Sequence, residues 1–262
     1  MIRSLHSAAT GMSAQQTFID VTSNNLANVN TTGFKKVRAN FQDLFYQISR
    51  APGLNTTETT ESPTGIQVGL GVRTASTQKV FSDGSFKFTD IPTDVAIQGD
   101  GFLQITQADG TIAYTRDGAL HTDENGTLVT ASGLPVEPQI QVPAEAIFVH
   151  ISQDGIVSAQ VQGQAEPVQV GQIQTATFIN PAGLIGTGSN LFQESGSSGP
   201  PVIGNPGENG FGTLQSGFLE LSNVKVVEEM ISLITAQRAF EFNSKAVQAG
   251  DQMLQKLGQL VR

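Results

Sequence analysis

Residues 219–261, LELSNVKVVEEMISLITAQRAFEFNSKAVQAGDQMLQKLGQLV, place an apolar side chain at every seventh position: Leu219, Val226, Leu233, Phe240, Val247, Leu254 and Val261. A period of seven keeps one narrow line of a helix turned toward a neighbour. At the other end of the chain Ile2, Leu5, Ala9, Met12, Gln16, Ile19, Ser23 and Leu26 recur at alternating spacings of three and four, the same a/d pattern. The intervening positions Gln16, Ser23, Gln237, Ser244 and Asp251 are polar, so each stripe reads as a contact line rather than a broad apolar face. Such helices need a partner. Isolated helices rarely hold in water without packing, so this pattern predicts terminal segments that become ordered on assembly.

The first helix is predicted from Ile2 to Asn28, roughly 40 Å at about 1.5 Å per residue. It ends where Asn28, Asn30, Thr31, Thr32 and Gly33 compete for backbone hydrogen bonds or tolerate positive φ. The second is predicted to start near Ser222 or Asn223, either a good N-cap, with Glu228 and Glu229 in its early turns and Glu241 paired to Lys245. It runs to about Leu260 and closes with Lys256 and Arg262.

Between the helices the period changes to two. Asp109-Gly110, Asn125-Gly126 and Asp154-Gly155 each separate alternating apolar runs, Phe102 to Ile105 from Ile112 and Tyr114, Leu120 from Leu128 and Val129, and Phe148 to Ile151 from Ile156 and Val157. These are hairpin signals, read as type I′ turns, and three in one region argue for an antiparallel sandwich or barrel. Phe34 to Ile48 mixes basic and aromatic residues and fits either a short helix or an extended arm. Arg50 to Gly65, with Ala51-Pro52-Gly53 and the Thr- and Glu-rich run after Asn55, reads as a linker or extended loop, and Ser195 to Gly212 as a return linker.

Charged residues make up only 14% of the 262 and the net charge is −9. Residues 51–218 hold four basic against sixteen acidic side chains, while both ends are near neutral or mildly basic. Nucleic acid is a poor partner for such a surface. There is no Cys, hence no disulfide or thiolate site. The first thirty residues lack the continuous apolar run of a secretory signal, and no stretch approaches a membrane span.

Enzyme chemistry has little to stand on. His6, His121 and His150 lie in no catalytic or metal-binding spacing. Asp123-Glu124-Asn125-Gly126 lacks the spacing and closing Glu of a calcium loop and reads as a turn. Gly69-Leu70-Gly71 begins like a dinucleotide fingerprint, but Thr74 stands where the last Gly belongs and no helix follows. The expectation is no catalytic residue, no metal and no cofactor. A carboxylate pair for glycoside hydrolysis depends on spatial rather than sequential spacing, which leaves a wall-active periplasmic hydrolase as the alternative of a different class.

Two motifs carry a resemblance. The run from Ser23 to Lys35, SNNLANVNTTGFK, resembles the amino-terminal signature of the bacterial flagellar rod and hook proteins. Gly217 to Val224, continuing through Glu228-Glu229-Met230, Thr235 to Glu241 and Asn243 to Val247, resembles its carboxyl-terminal half, and Val95 to Phe102 with Ala113 to Gly118 is similar to the family's β-domain. Tyr46 to Gly69 resembles the extended segment of the family's distal-rod branch, ahead of the hook or proximal-rod branches.

The resemblance implies an α+β fold in which paired N- and C-terminal coiled-coil helices carry an inserted all-β, antiparallel domain. The implied divisions are 1–33 with 219–262 as the helical core, 34–90 with 195–218 as a connecting region that includes 46–69, and 91–194 as the β-rich outer domain. It further implies a structural subunit of the basal body, exported to the periplasm without a cleaved signal. Its expected partners are itself in a helical homopolymer, other rod proteins and the hook protein axially, the P-ring and L-ring around it, and the flagellar export apparatus. The expected assembly interface comprises Leu5, Met12, Ile19, Leu26, Val226, Leu233, Phe240, Val247 and Leu254 on the helices, and Asn28, Asn30, Gly33 and Phe34 in the signature.

Overall fold

The computed structural model describes residues 2–53, 55–57, 60–61, 64–161, 163, 166–208 and 210–260. They form an α+β chain in which helix α1 (Ile2–Ala27) and helix α2 (Val226–Leu260) bracket a long run of antiparallel strands. Contacts divide the chain into two compact units. Unit 1 comprises Met1–Ala27, Val37–Gln78 and Lys225–Arg262; unit 2 comprises Asn28–Lys36 and Lys79–Val224.

In unit 1 the two helices pack antiparallel. A Cβ placed on Gly250 would lie 2.6 Å from Leu5 Cδ2, one on Gly11 would lie 2.9 Å from Asn243 Nδ2, and Asn25 Nδ2 donates to Glu229 Oε2 at 3.3 Å. Each pair advances along one helix as it retreats along the other. Glycine at two of these crossings removes the side chain that would hold the backbones apart.

Half-buried Leu5, Met12, Ile19, Leu26, Leu233, Phe240 and Val247 recur at sevens as expected. The second row does not fall where the sequence placed it. Ala9, Gln16, Ser23, Gln237 and Asp251 are exposed and only Ser244 of that row is half-buried; the buried or half-buried row lies one residue earlier, at Ala8, Gln15 and Thr22 and at Glu229, Ala236, Asn243 and Gly250. The seams are narrow because their second row mixes small residues, Ala8, Ala236 and Gly250, with polar ones, Gln15, Thr22, Asn243 and a Glu229 that accepts from Asn25. Leu219 belongs to a strand, not to the helix, and Val261 and Arg262 lie outside the described residues.

Helix α2 begins at Val226, later than its sequence suggests, because both expected caps are engaged elsewhere. Asn223 Oδ1 accepts from Lys36 N and its Nδ2 donates to Val80 O, both within unit 2, while Ser222 Oγ accepts from Val224 N. Glu228 and Glu229 do occupy the first turn, where the helix dipole favours acid. The Glu241 partner is Arg238 at 3.1 Å, and Lys245 instead sits over the Phe242 ring.

The segment between the helices in unit 1 is extended, which decides between the two readings of Phe34 to Ile48. Strand Val37–Asp43 pairs with Val72–Lys79, and Phe18 of α1 meets Phe41 edge-on at 6.3 Å. Strand Tyr46–Arg50 pairs antiparallel with Ile66–Gly69, from Tyr46 opposite Gly69 to Arg50 opposite Ile66, with the short strands Asn55–Thr57 and Thr60–Glu61 beyond them. The expected linker is thus framed by a β-ribbon; Leu54, Glu58, Thr59, Ser62 and Pro63 of that stretch lie outside the described residues.

Unit 2 holds the large core. Its seven-stranded sheet runs Ile185–Gly188, Leu191–Gln193, Ile112–Thr115, Phe102–Thr106, Thr175–Thr177 and Val202–Gly204, with Val136–Glu137 also on Phe102–Thr106. A three-stranded sheet, Ala146–Ile151, Ile156–Val161 and Val168–Gln172, packs through Ile151, Val157 and Ala159 into the same cluster as Leu103, Ile105, Leu120 and Leu128. Phe102, Tyr114, Phe178 and Phe192 form a second cluster of edge-on rings. The return linker instead supplies an edge strand, Val202–Gly204, paired with Thr175–Thr177.

All three expected hairpins are present, but with a different turn. Only the glycines Gly110, Gly126 and Gly155 have positive φ, whereas a type I′ turn requires it at both central residues. Gly110 N donates to Gln107 O while Gln107 N donates to Thr111 O, and the pattern repeats at Asp123 to Thr127 and at Ser152 to Ile156. These are three-residue loops in which a left-handed glycine makes a bulge. Thr130 to Leu134, with Gly133, is a fourth that the pair rule passes over.

Candidate assembly surface

The expected interface residues divide between the units. On α1, Leu5, Met12, Ile19 and Leu26 are half-buried, as are Leu233, Phe240 and Val247 on α2, while Val226 and Leu254 are exposed. Of the half-buried seven, Leu5 lies against Gly250 of the other helix. Beside them Asn25 is fully engaged: Nδ2 donates to Val37 O at 2.8 Å and Oδ1 accepts from Val37 N at 2.9 Å.

Asn28, Asn30, Gly33 and Phe34 belong to unit 2. Asn28 turns the chain, its carbonyl accepting from Thr31 N at 3.2 Å and its Oδ1 from the Thr31 hydroxyl. Asn30 is exposed and Phe34 half-buried. Gly33 is buried with φ of 65°, and a Cβ there would lie 2.6 Å from Asp117 N, so both the conformation and the close approach require glycine.

The residues the heptad reading passed over lie on the other side of α2. Val227, Met230, Ile231 and Ile234 are exposed, Val227 to 70%, and their spacing of three, four and seven sets them on one face. The signal was legible as a second stripe in VVEEMISLI, but the more regular row of sevens drew the assignment. In the ribbon of unit 1, Phe45 is 88% exposed, and Tyr46, Ile48, Ile66 and Val68 are exposed as well. Ile48 faces Gln67 and Gln47 faces Val68, so apolar side chains fall on both faces of a two-stranded ribbon. A two-stranded hairpin is marginal in water, and one with two greasy faces calls for cover on both.

Unit 2 offers little that could run a reaction. His121 and His150 are exposed on separate strands, as His6 is on α1. Asp123 Oδ1 accepts from Asn125 N and Thr127 N and holds its turn, and no cluster of metal-ligating side chains occurs among the described residues. Gly69-Leu70-Gly71 joins two strands rather than a strand and a helix. A cleft of about 360 Å³ lined by Phe81, Phe102, Arg116 and Phe178 has one carboxylate, Asp100, where glycoside hydrolysis needs two. Every Lys or Arg between Lys87 and Lys225 reduces to Arg116, which is buried, so the charged side chains that unit 2 exposes over that span are acidic.

Comparison with known proteins agrees along the whole chain. Residues 5–35 match the model of the flagella basal body rod protein family, 96–159 that of the flagellar hook protein FlgE/F/G D1 domain, and 215–260 that of the flagellar basal body rod FlgEFG protein C-terminal region. The flagellar basal-body rod protein FlgG of Borreliella burgdorferi is 52% identical over 97% of both chains. That of Buchnera aphidicola from Schizaphis graminum is 50% identical over 99% of this chain and all of its own, and that of Bacillus subtilis 42% identical over the full length of both.

Proposed function

The chain belongs to the flagellar basal-body rod protein family, and from that premise we propose that it is a distal-rod subunit that polymerises helically into a hollow shaft, transmitting torque to the hook and conducting exported subunits. It is a structural protein of the flagellar basal body and not an enzyme, and it assembles with other rod and hook components. Terminal segments 1–33 and 219–262, paired as a coiled coil, line the core of the shaft, and 91–194 forms its outer domain. The shaft crosses the periplasm, reached by the export apparatus without a cleaved signal, inside the P-ring and L-ring. Its uniformly acidic outer surface keeps shafts apart and turns freely in that collar.

One observation carries the polymer: Val227, Met230, Ile231 and Ile234 stay in solvent although α2 has already paired with α1. A contact between unlike surfaces that does not close on itself propagates as a helix, and a second apolar stripe supplies such a surface. The wall-active hydrolase gains nothing from the single carboxylate in the cleft. The test is Ile231→Asp and Ile234→Asp, each examined by electron microscopy of concentrated protein and of basal bodies. Both variants should fold and form no tubes; straight tubes from either would overturn the assignment.

A further inference from the structure

Two cations buried in unit 2 precede in sequence, by 185 and 104 residues, the anion that answers them. Lys35 and Arg116 are each about 1% exposed at the side chain, and so is Glu220. Lys35 Nζ donates to Glu220 Oε1 at 2.6 Å and to Ser82 O at 2.8 Å. Arg116 donates through one amino group to Gly99 O at 2.8 Å; its other lies 3.5 Å from Glu220 Oε2 and from Asp83 Oδ1, and its Nε has no partner. Glu220 also accepts from Gly84 N at 2.8 Å, and its carbonyl takes Gly33 N at 2.9 Å. The other acid present, Asp83, is 42% exposed.

We infer that Glu220 is a closing latch: unit 2 reaches its packed state only when the last of its segments, Phe218 to Asn223, docks and brings an anion to Lys35 and Arg116. Removing one partner of a buried pair leaves an uncompensated charge, which is strongly destabilising. A partial chain that ended before Glu220 would face this penalty twice. The partners lie 185 and 104 residues apart in sequence, so the three groups meet only when segments around Lys35, Arg116 and Glu220 have all been placed. Burial, with Arg116 adding to it, pushes the Lys35 ammonium below its ordinary value despite the opposing pull of Glu220, so desolvation is the dominant cost at this point. The latch delays compaction of a rod subunit until its β-region is complete, immediately ahead of α2.

A static ion pair and a latch differ in kinetics. If Glu220 must dock before the cations can be buried, its contact is formed in the folding transition state and its loss slows folding; if it docks afterwards, its loss speeds unfolding. The full chain carrying Tyr46→Phe has Tyr114, buried among phenylalanines, as its one tyrosine reporter for stopped-flow fluorescence. Glu220→Gln keeps the shape and the acceptor for Gly84 but removes the charge. It should slow refolding at least tenfold with little change in unfolding, and adding Lys35→Met, which removes one of the two stranded charges, should recover a measurable part of that loss even if the single variant does not fold. An effect confined to unfolding, or a double variant no better than the single one, would overturn the latch.

Discussion

Among the described residues the buried apolar side chains of unit 1 are all alanines, Ala8, Ala14, Ala39 and Ala236, whereas unit 2 buries Leu103, Ile105, Leu120, Leu128, Ile140, Ile151 and Ile173. The large side chains of unit 1 are half-buried along the helix pair or exposed on its outer side. Each buried Leu or Ile is worth about 1.5–3 kcal/mol of transfer free energy, and alanine far less. Unit 2 therefore carries its own stability within one chain. Unit 1 uses alanine and glycine to bring two helix backbones together and holds its larger apolar surface in reserve, which suits a subunit whose last contacts come from other copies.

The widest gap between the units should appear on truncating a core leucine. Leu103→Ala, deep in the seven-stranded sheet, is expected to cost about 2–5 kcal/mol of unit 2 stability. Urea unfolding followed by Tyr114 fluorescence measures it, and a cost below 1 kcal/mol would mean that unit 2 is not the stable partner of the comparison. A smaller effect is expected where unit 1 relies on polar contacts. Asn25→Ala strips both hydrogen bonds from part-buried Val37 N and O, for about 1–3 kcal/mol. Hydrogen exchange should then rise across α1 and strand Val37–Asp43 while the Leu103 strand stays protected. The smallest effect has the opposite sign. Gly258 in α2 has open space around it, so Gly258→Ala should add about 0.5–1 kcal/mol of helix stability, seen as greater helicity by circular dichroism with tube formation unchanged.

Much of the β-region was legible because its turns are local chemistry. Asp109-Gly110, Asn125-Gly126 and Asp154-Gly155 mark hairpins whatever surrounds them, since only glycine takes the left-handed position cheaply. The turn type was not legible: the same dipeptide serves a two-residue loop or the end of a three-residue one, and the flanking register selects between them. The terminal helices were visible as periodicity, and the row of sevens is half-buried at Leu5, Met12, Ile19, Leu26, Leu233, Phe240 and Val247 but exposed at Val226 and Leu254. The companion row was misplaced by one residue in both helices, because spacings of three and four are equally helical and the residues at the crossing, Ala236, Asn243 and Gly250, look like surface when read alone. The ribbon framed by Tyr46 and Gly69 was missed because its apolar residues do not alternate toward one face. Asn223 is a sound cap by composition and lost that role to Lys36 and Val80, which no local window contains, while Ser222 accepts from Val224 N two residues on.

Helices at both ends, antiparallel strands between them, glycine turns and a segregated acidic surface follow from the sequence alone, since each rests on the preferences of residues a few positions apart. Tertiary structure alone decided which side of each helix faces the other, which apolar stripe remains free, and that Lys35 and Arg116 share Glu220. These depend on helices that approach closely enough for Gly11 and Gly250 to sit against Asn243 and Leu5, and on charges whose partners lie more than a hundred residues away along the chain.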